Sequence, residues 1–191
     1  MAVSFWYYEF MSFEIYVSEK ISLRLRGEDD AQAFFEIIDR NREEFTKWFP
    51  WAETTQSSED TKKFIVQCRE EFETKKAADF GVWYEDRWVG SMGFHTITTE
   101  HKWAEIGYWL DGRYVGKGIM TECVKAVVNY GFNDLKLHRI QIKCDSINLK
   151  SKSIPERLAF KLEGVIREDR KHGDVFSDGL IYGLLKSEWE K

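Results

Sequence analysis

Apolar residues recur along this chain at two spacings, every second residue in some segments and every third or fourth residue in others. The first spacing is typical of a half-buried strand, and the second indicates an amphipathic helix. Strand-like segments lie at residues 21–26, 79–84, 88–98, 102–110, 139–144, 161–169 and 175–185. Helical segments lie at residues 28–38 with a continuation at 42–49, at 57–72, at 119–131 and at 151–158. We summarise the predicted order of elements as β-αα-βββ-α-β-α-ββ.

Short turns between the central strands predict a sheet that is mostly antiparallel. Residues 85–87 and 99–101 are short enough for hairpin loops, so three successive strands should form a meander. A helix separates the third of these strands from the next, which favours a crossover and a parallel pair. We therefore predict an α/β (α+β) fold with one mixed, mostly antiparallel sheet of about seven strands and about four flanking helices. A crevice opens where such a sheet changes direction, and we expect the active site there.

The composition is that of one packed domain. The chain has 191 residues, of which 43% are hydrophobic and 16% aromatic, and this length suits a single core. We expect one domain over residues 21–191 and an aromatic N-terminal extension over residues 1–20, whose role is unknown. Glutamates interrupt this extension, so it is neither a signal peptide nor a membrane span. The three cysteines include no C-x-x-C pair, which favours a reduced, cytoplasmic protein.

A glycine-rich turn follows the strand at residues 102–110. Gly112, Gly116 and Gly118 permit a close approach of the backbone to a ligand and positive φ angles. The free N–H groups at the start of the following helix attract anions, and Arg113 and Lys117 add positive charge. A P-loop would need four residues between its first Gly and its Gly-Lys, and a Ser or Thr after the Lys, which this turn lacks. The turn therefore predicts a phosphate site of another kind.

The turn reads Arg113-Tyr-Val-Gly116-Lys-Gly118, which resembles the pyrophosphate loop Q/R-x-x-G-x-G/A of the GNAT N-acetyltransferase superfamily. The blocks Asn148-Leu-Lys-Ser151 and Pro155-Glu-Arg-Leu-Ala-Phe160 look like the ribosomal-protein N-acetyltransferase (RimJ/RimL-like) branch and are similar to ribosomal acetyltransferases of bacilli. The resemblance extends from Ile21 to the C-terminus. It implies the GNAT fold, acetyl-CoA as co-substrate and an amine as acetyl acceptor.

The resemblance places the coenzyme on the turn and on the strands beside it. Backbone N–H groups of residues 115–120 would hold the diphosphate, and two cations of the turn would help to neutralise it. Splayed strands would leave backbone groups of Trp109 and Leu110 free for the pantetheine arm, with Leu110 contacting the thioester oxygen. Ordinary strand pairing of these groups is the alternative. The implied coenzyme-binding residues are Trp109, Leu110, Arg113, Val115, Gly116, Lys117, Gly118, Ile119, Met120, Asn148 and Ser151.

Glu105 and Ser151 are the candidate catalytic residues. Glu105 shares a strand face with Trp103 and Trp109, so we expect its carboxylate among bulky apolar groups, where it could take a proton from the amine directly or through one water. A solvated glutamate on an open sheet face is the alternative. Ser151 resembles the serine that stands near the coenzyme sulfur as proton donor in the branch. A helix cap is the alternative role for Ser151, and Asn148 is another candidate cap.

Two positions depart from the family pattern. Pro155 stands where many relatives have a tyrosine acid, so no phenol is expected to serve, and Ser151 or solvent would protonate the leaving thiolate. Ala159 replaces the usual glycine and would have to adopt the left-handed conformation that ends the helix.

We expect an acetyl-CoA-dependent N-acetyltransferase that works by direct attack in a ternary complex, with no acyl-enzyme on Cys144. A protein N-terminal α-amine is the favoured acceptor, because its pKa of about 7.7–8.0 lies below the ~10.4 of lysine. A small amine or an antibiotic is an alternative acceptor, and a non-catalytic acyl-CoA sensor is an alternative function. Trp48, Trp51, Phe80 and Phe94 are expected to line an aromatic acceptor pocket.

The remaining features bear on partners. The formal net charge of −5 leaves no basic surplus for nucleic acid, and no membrane partner is expected. The four histidines lack metal-ligand spacing, so we expect no metal, and none of them is the first candidate for the base. The aromatic residues of the N-terminal extension favour a homodimer, because so many exposed aromatics are unusual on a monomer.

Overall fold

The computed structural model describes residues 13–190, which contain one eight-stranded sheet. The strands are β1 (Glu14–Ser18), β2 (Ile21–Arg24), β3 (Ala78–Tyr84), β4 (Arg87–Thr98), β5 (Trp103–Leu110), β6 (Arg139–Asp145), β7 (Lys161–His172) and β8 (Val175–Leu185). Their order across the sheet is β1-β2-β3-β4-β5-β6-β8-β7. Every neighbouring pair is antiparallel except β5 and β6, which are parallel. The predicted mixed, mostly antiparallel sheet is therefore confirmed.

The sheet has eight strands rather than about seven, because β1 adds an edge strand to it. This strand comes from the segment that the sequence analysis set apart as an extension, and its Ile15 pairs with Leu23 of β2. The preceding Phe13 stacks on Phe80 at a ring distance of 5.6 Å. Residues 1–12, which include the aromatic run Phe5–Phe10, lie outside the described residues.

Seven α-helices occur in residues 13–190 instead of about four. They are α1 (Ala31–Arg40), α2 (Arg42–Phe45), α3 (Trp51–Thr54), α4 (Ser58–Glu73), α5 (Ile119–Asn133), α6 (Leu149–Arg157) and α7 (Lys186–Trp189). The predicted helix at 42–49 is replaced by two single turns on either side of Pro50, which caps α3. Ala159 follows α6 with a φ of 59°, as expected of the residue that ends this helix. None of the helices in this part of the chain has the length and apolar composition needed to cross a membrane.

Two apolar clusters cover opposite faces of the sheet. Adjacent strand residues point to opposite faces, and Val82 belongs to one cluster while Trp83 packs on the other. The larger cluster includes the buried face of α5, with Val127 and Phe132 fully buried. The smaller cluster packs α1, α2 and α4 against Trp88 of β4. Odd-numbered residues of β5, such as Trp109, point to the face of the sheet that this smaller cluster covers.

β5 and β6 separate after four paired positions. Their parallel register runs from Trp103 opposite Arg139 to Ile106 opposite Ile142. β5 nevertheless continues to Leu110, still paired on its other edge with β4. The edge of residues 107–110 that faces β6 is therefore open. A crevice forms there, at the one parallel pair among the described strands, as the topology predicted.

Candidate active site

A cavity of about 1350 Å³ occupies the crevice between β5 and β6. Its lining includes the turn before α5 as well as Asp145 and His172. Pockets for a single small ligand usually measure about 300–1,000 Å³. The cavity is thus large enough for a coenzyme and an acceptor together.

The turn before α5 presents free backbone N–H groups to this cavity. Gly116 and Gly118 have φ angles of 84° and 79°, and nothing lies within 4 Å of a Cβ built on either of them. Within residues 13–190, no acceptor bonds the N–H groups of residues 116–120. The N–H of Val115 instead donates to the Gly112 carbonyl at 3.4 Å. Gly112 lies in a 3-10 turn and lacks the predicted positive φ.

The two cations of the turn have different surroundings. The Arg113 guanidinium donates to the buried Asp111 carboxylate, with Nη2 2.7 Å from Oδ2. Burial alone would raise the pKa of Asp111, but the hydrogen bonds from Arg113 and the charge of Arg40 lower it below its ordinary value. The Lys117 ammonium stands 4.8 Å from the centre of the Tyr114 ring. Arg113 therefore anchors the turn through Asp111, a role that the sequence analysis missed.

Ser151 contacts the phenol of Tyr108 near the point where β5 and β6 separate. Its Oγ donates to Tyr108 Oη at 3.3 Å, and Tyr108 Oη donates to the backbone carbonyl of Ser151 at 3.0 Å. Burial raises the pKa of Tyr108, so this phenol stays protonated. Asn148 Oδ1 accepts from the Ser151 N–H at 3.1 Å and caps α6. The cap is therefore Asn148, and although Pro155 supplies no phenol, β5 brings one from a distant part of the chain.

The Glu105 carboxylate lies among polar groups, so the expected apolar surroundings are wrong. Its Oε2 accepts from Gln141 Nε2 at 2.8 Å and stands 2.9 Å from Lys143 Nζ. Gln141 is the register partner of Glu105, and Lys143 follows two residues later on the same face of β6. The register of a parallel pair joined by a long crossover is not visible in the sequence, which is why these partners were missed.

His95 lies one strand away, at a bulge in β4. The β4–β5 register shifts at this residue, and bulges of this kind redirect a side chain. The ring lies over Gly107, where a Cβ would come 2.0 Å from the ring Cε1. His95 Nε2 stands 3.6 Å from Asp79 Oδ2. The alternation of apolar and polar residues along this strand is interrupted at His95, and this interruption in the sequence could have identified the bulge.

Aromatic side chains form much of the acceptor end of the cavity. Trp48, Trp51 and Phe94 line the cavity, although Phe94 is itself fully buried in the larger core cluster; Phe80 belongs to the same cluster and does not line the cavity. The ring of Trp109 packs on aromatic side chains of the helix layer.

Nucleophilic and metal chemistry have little support in the described residues. Cys144 lines the cavity, but burial raises the pKa of its thiol to about 11, which leaves it largely unreactive near neutral pH. All three cysteines are free and buried. Residues 13–190 contain no cluster of His, Cys, Asp and Glu suited to a metal ion.

Comparisons with known proteins agree with this geometry. Residues 20–161 match the family described as acetyltransferase (GNAT) domain. The N-acetyltransferase YdaF of Bacillus subtilis (strain 168) is 32% identical over 91% of this chain and 96% of its own length. The ribosomal-protein-serine acetyltransferase of Escherichia coli (strain K12) is 30% identical over 92% of this chain and 98% of its own length.

A solved structure shows the same fold in full. RimL, a ribosomal alpha-N-protein acetyltransferase in complex with coenzyme A, superposes with a TM-score of 0.87 at 25% identity, over 91% of this chain and 98% of that chain. The free amides at the start of α5, the splay between β5 and β6, and these relatives lead to one conclusion. This chain belongs to the GNAT acetyltransferase family and is an acetyl-CoA-dependent N-acetyltransferase.

Proposed function

We propose that the protein transfers acetyl from acetyl-CoA to the α-amine at the N-terminus of a protein, by direct attack in a ternary complex. The observation that carries this proposal is the continuous cavity. Its lining includes residues of the turn before α5, Ser151, Tyr108 and Glu105, together with the aromatic side chains named above. Both substrates can meet there without a covalent enzyme intermediate, and the raised pKa of Cys144 supports this.

The coenzyme would lie along the open edge of β5. The N–H groups of residues 116–120, from Gly116, Lys117 and Gly118 to Ile119 and Met120, would hold the diphosphate at the positive end of α5. Trp109 and Leu110 would supply backbone groups for the pantetheine arm and the thioester carbonyl. Val115, Arg113 and Asn148 would contribute through the shape of the turn and of the α6 N-terminus, because each has an internal partner.

Ser151 would act on the leaving sulfur of the coenzyme, and Glu105 would act on the attacking amine. The Ser151 hydroxyl, which donates to Tyr108 Oη, would turn from this hydrogen bond and donate its proton to the departing thiolate of the coenzyme. Glu105 would attract the acceptor amine into the cavity and take part in the removal of its proton, directly or through one water. The contacts with Gln141 and Lys143 both use Oε2, so Oε1 can face an incoming amine.

An α-amine suits this site better than a lysine side chain does. Its pKa is about 7.7–8.0 against ~10.4, so deprotonation near pH 7 costs about 3–4 kcal/mol less. The relatives support the same acceptor class, since one acts on a ribosomal-protein serine and another is an alpha-N-protein acetyltransferase.

Intact-mass spectrometry tests the acceptor class. Peptides that differ only in an acetylated or free α-amine, each carrying one lysine, are incubated with enzyme and acetyl-CoA beside spermidine. We expect mass gain only on peptides with a free α-amine. Transfer to the lysine or to spermidine alone would favour a small-amine acetyltransferase, and coenzyme binding without transfer to any amine would favour a sensor.

We make three further proposals, which concern the compartment, the oligomeric state and binding to nucleic acid. The free, buried cysteines support a cytoplasmic protein. We also propose a homodimer, because the edge strand β7 and its hairpin expose apolar side chains, namely Leu162, Val165, Ile166, Val175 and Phe176. Finally, we propose that the net charge of −5 keeps nucleic acid from being a partner.

A further inference from the structure

The acceptor end of the cavity contains a histidine that the mechanism above does not use. The His95 side chain is 55% exposed and lines the cavity, so a substrate can reach its ring. Its place at the β4 bulge, over Gly107, sets the ring beside the first residue of the open β5 edge. That edge is where the thioester carbonyl would lie.

A fixed carboxylate stands behind this ring. Asp79 is buried, and its Oδ1 is bound by the buried guanidinium of Arg26 and by Ser91 Oγ at 2.7 Å. Its other oxygen, Oδ2, faces His95 Nε2 at 3.6 Å. Catalytic hydrogen bonds are often this long before substrate binds and shorten in the complex. The contacts on Oδ1 thus leave Oδ2 available to orient the imidazole, as a carboxylate does in other base-orienting pairs.

Glu105 is less suited than His95 to take the proton itself. Its carboxylate already has an ammonium partner in Lys143 at 2.9 Å, whereas the bulge places His95 between two carboxylates. The charged groups that act on His95 come from several elements, namely Asp79 on β3, Glu105 on β5 and Arg26 after β2. Lys143 on β6 pairs with Glu105, and Glu71 and Cys68 on α4 line the same cavity.

We propose that His95 is the catalytic base, held by Asp79, and that Glu105 stabilises the imidazolium and the incoming amine. This inference rests on the direct attack proposed above and assigns the removal of the proton to His95, with Glu105 acting through its charge. The amine nitrogen forms its bond to the acetyl carbon and gives one proton to a ring nitrogen of His95. The C–S bond breaks, and the sulfur takes one proton from Ser151, which regains it from solvent. The products are an amide and the coenzyme thiol.

The electrostatics agree with this assignment. Partial burial lowers the pKa of His95, but the contact with Asp79 and the charges of Asp79 and Glu105 raise it above its ordinary value. A raised pKa keeps the imidazole protonated up to a higher pH than usual, and a protonated ring cannot accept the amine proton. Turnover should therefore fall on the acid side.

His172, the other histidine that lines the cavity, is held by direct contacts. His172 Nε2 stands 2.6 Å from Asp145 Oδ2 and 3.2 Å from Ser177 Oγ, and its ring packs on Trp48. These contacts hold the His172 ring in the cavity wall, and it is His95 rather than His172 that lies against Gly107 of the open β5 edge.

The test compares His95→Gln, Glu105→Gln and a matched control, His101→Gln, which alters an exposed histidine in the β4–β5 turn. Profiles of kcat against pH are recorded with whichever amine the wild type acetylates fastest, so a wrong acceptor class leaves this test intact. We expect His95→Gln to lower kcat by about 100-fold or more with an unchanged KM for acetyl-CoA. Glu105→Gln should move the acid limb to lower pH, and His101→Gln should match the wild type.

Two further measurements guard against a misfolded variant. Thermal unfolding and coenzyme calorimetry show whether His95→Gln keeps the fold and the coenzyme site. NMR titration of the His95 ring should give a pKa above the ordinary ~6.5, and a lower one in Glu105→Gln. The proposal is overturned if a folded His95→Gln keeps kcat within about threefold of the wild type, or if the ring titrates below its ordinary value.

Discussion

The turn before α5 offers a sharp test, because two glycines there adopt a backbone conformation that other residues avoid. Gly116→Val places a β-branched residue at a φ of 84°. A non-glycine residue in the left-handed region costs about 1–2 kcal/mol, and a β-branched residue is a clear outlier there. The turn of the free variant can relax to relieve this strain. Coenzyme binding must then return the turn to its strained conformation, and this cost weakens binding by about 5–30-fold.

A second effect acts in the same direction. Nothing lies within 4 Å of a Cβ at Gly116, so the valine meets no protein atom and instead extends into the space that the diphosphate would occupy. We therefore expect the Kd for coenzyme A to rise by at least about 10-fold, which corresponds to 1.4 kcal/mol.

Isothermal titration calorimetry with coenzyme A measures this change, and Gly173→Val is the matched control. Gly173 has a φ of 61° and equally open surroundings, but it lies in the β7–β8 turn. Both variants should lose similar thermal stability, and only Gly116→Val should lose coenzyme affinity. Wild-type affinity in Gly116→Val would refute the reasoning that these amides converge on the diphosphate.

Further predictions concern catalysis and stability. Ser151→Ala should lower kcat by about 10–100-fold with little change in the KM for acetyl-CoA, and Tyr108→Phe should do so less, as steady-state CoA release will show. Asp111→Asn removes the buried carboxylate that accepts from Arg113, and since the Arg113 guanidinium left behind is 62% exposed we expect a loss of about 1–3 kcal/mol in urea unfolding at pH 7. The pKa of Asp111 is lowered in the folded protein, so its contribution is complete above the unfolded pKa of about 3.9 and disappears as the pH falls through the folded value. The urea midpoint of the wild type should thus drop in acid more steeply than that of Asp111→Asn, and equal slopes would contradict the assignment. Phe132→Ala, in the fully buried face of α5, should cost about 3–5 kcal/mol by the same measurement.

Local features of this protein followed from the sequence with good accuracy. Helix α5 begins where the glycine turn predicted it, and Gly116 and Gly118 have the positive φ angles that only glycine adopts easily. Ala159 takes the left-handed conformation inferred for the end of α6. These features depend on a few adjacent residues, so their conformational preferences are present in the sequence itself. The main omission was β1, a five-residue edge strand whose alternation is too short to stand out.

The partners of the candidate catalytic side chains could not be predicted by such local arguments. Glu105 gains Lys143 only through the parallel register of β5 and β6, and Ser151 gains the phenol of Tyr108 across 43 positions of the chain. His95 turns toward Asp79 only because a bulge shifts β4 against β5.

Spacing and turn chemistry thus determined the elements, their order and the phosphate-binding turn, because each arises from neighbouring residues. Tertiary structure decided which charges and hydroxyl groups meet in the cavity. Strand register and the divergence of β5 from β6 place those groups, and both result from the packing of the whole sheet against its helices.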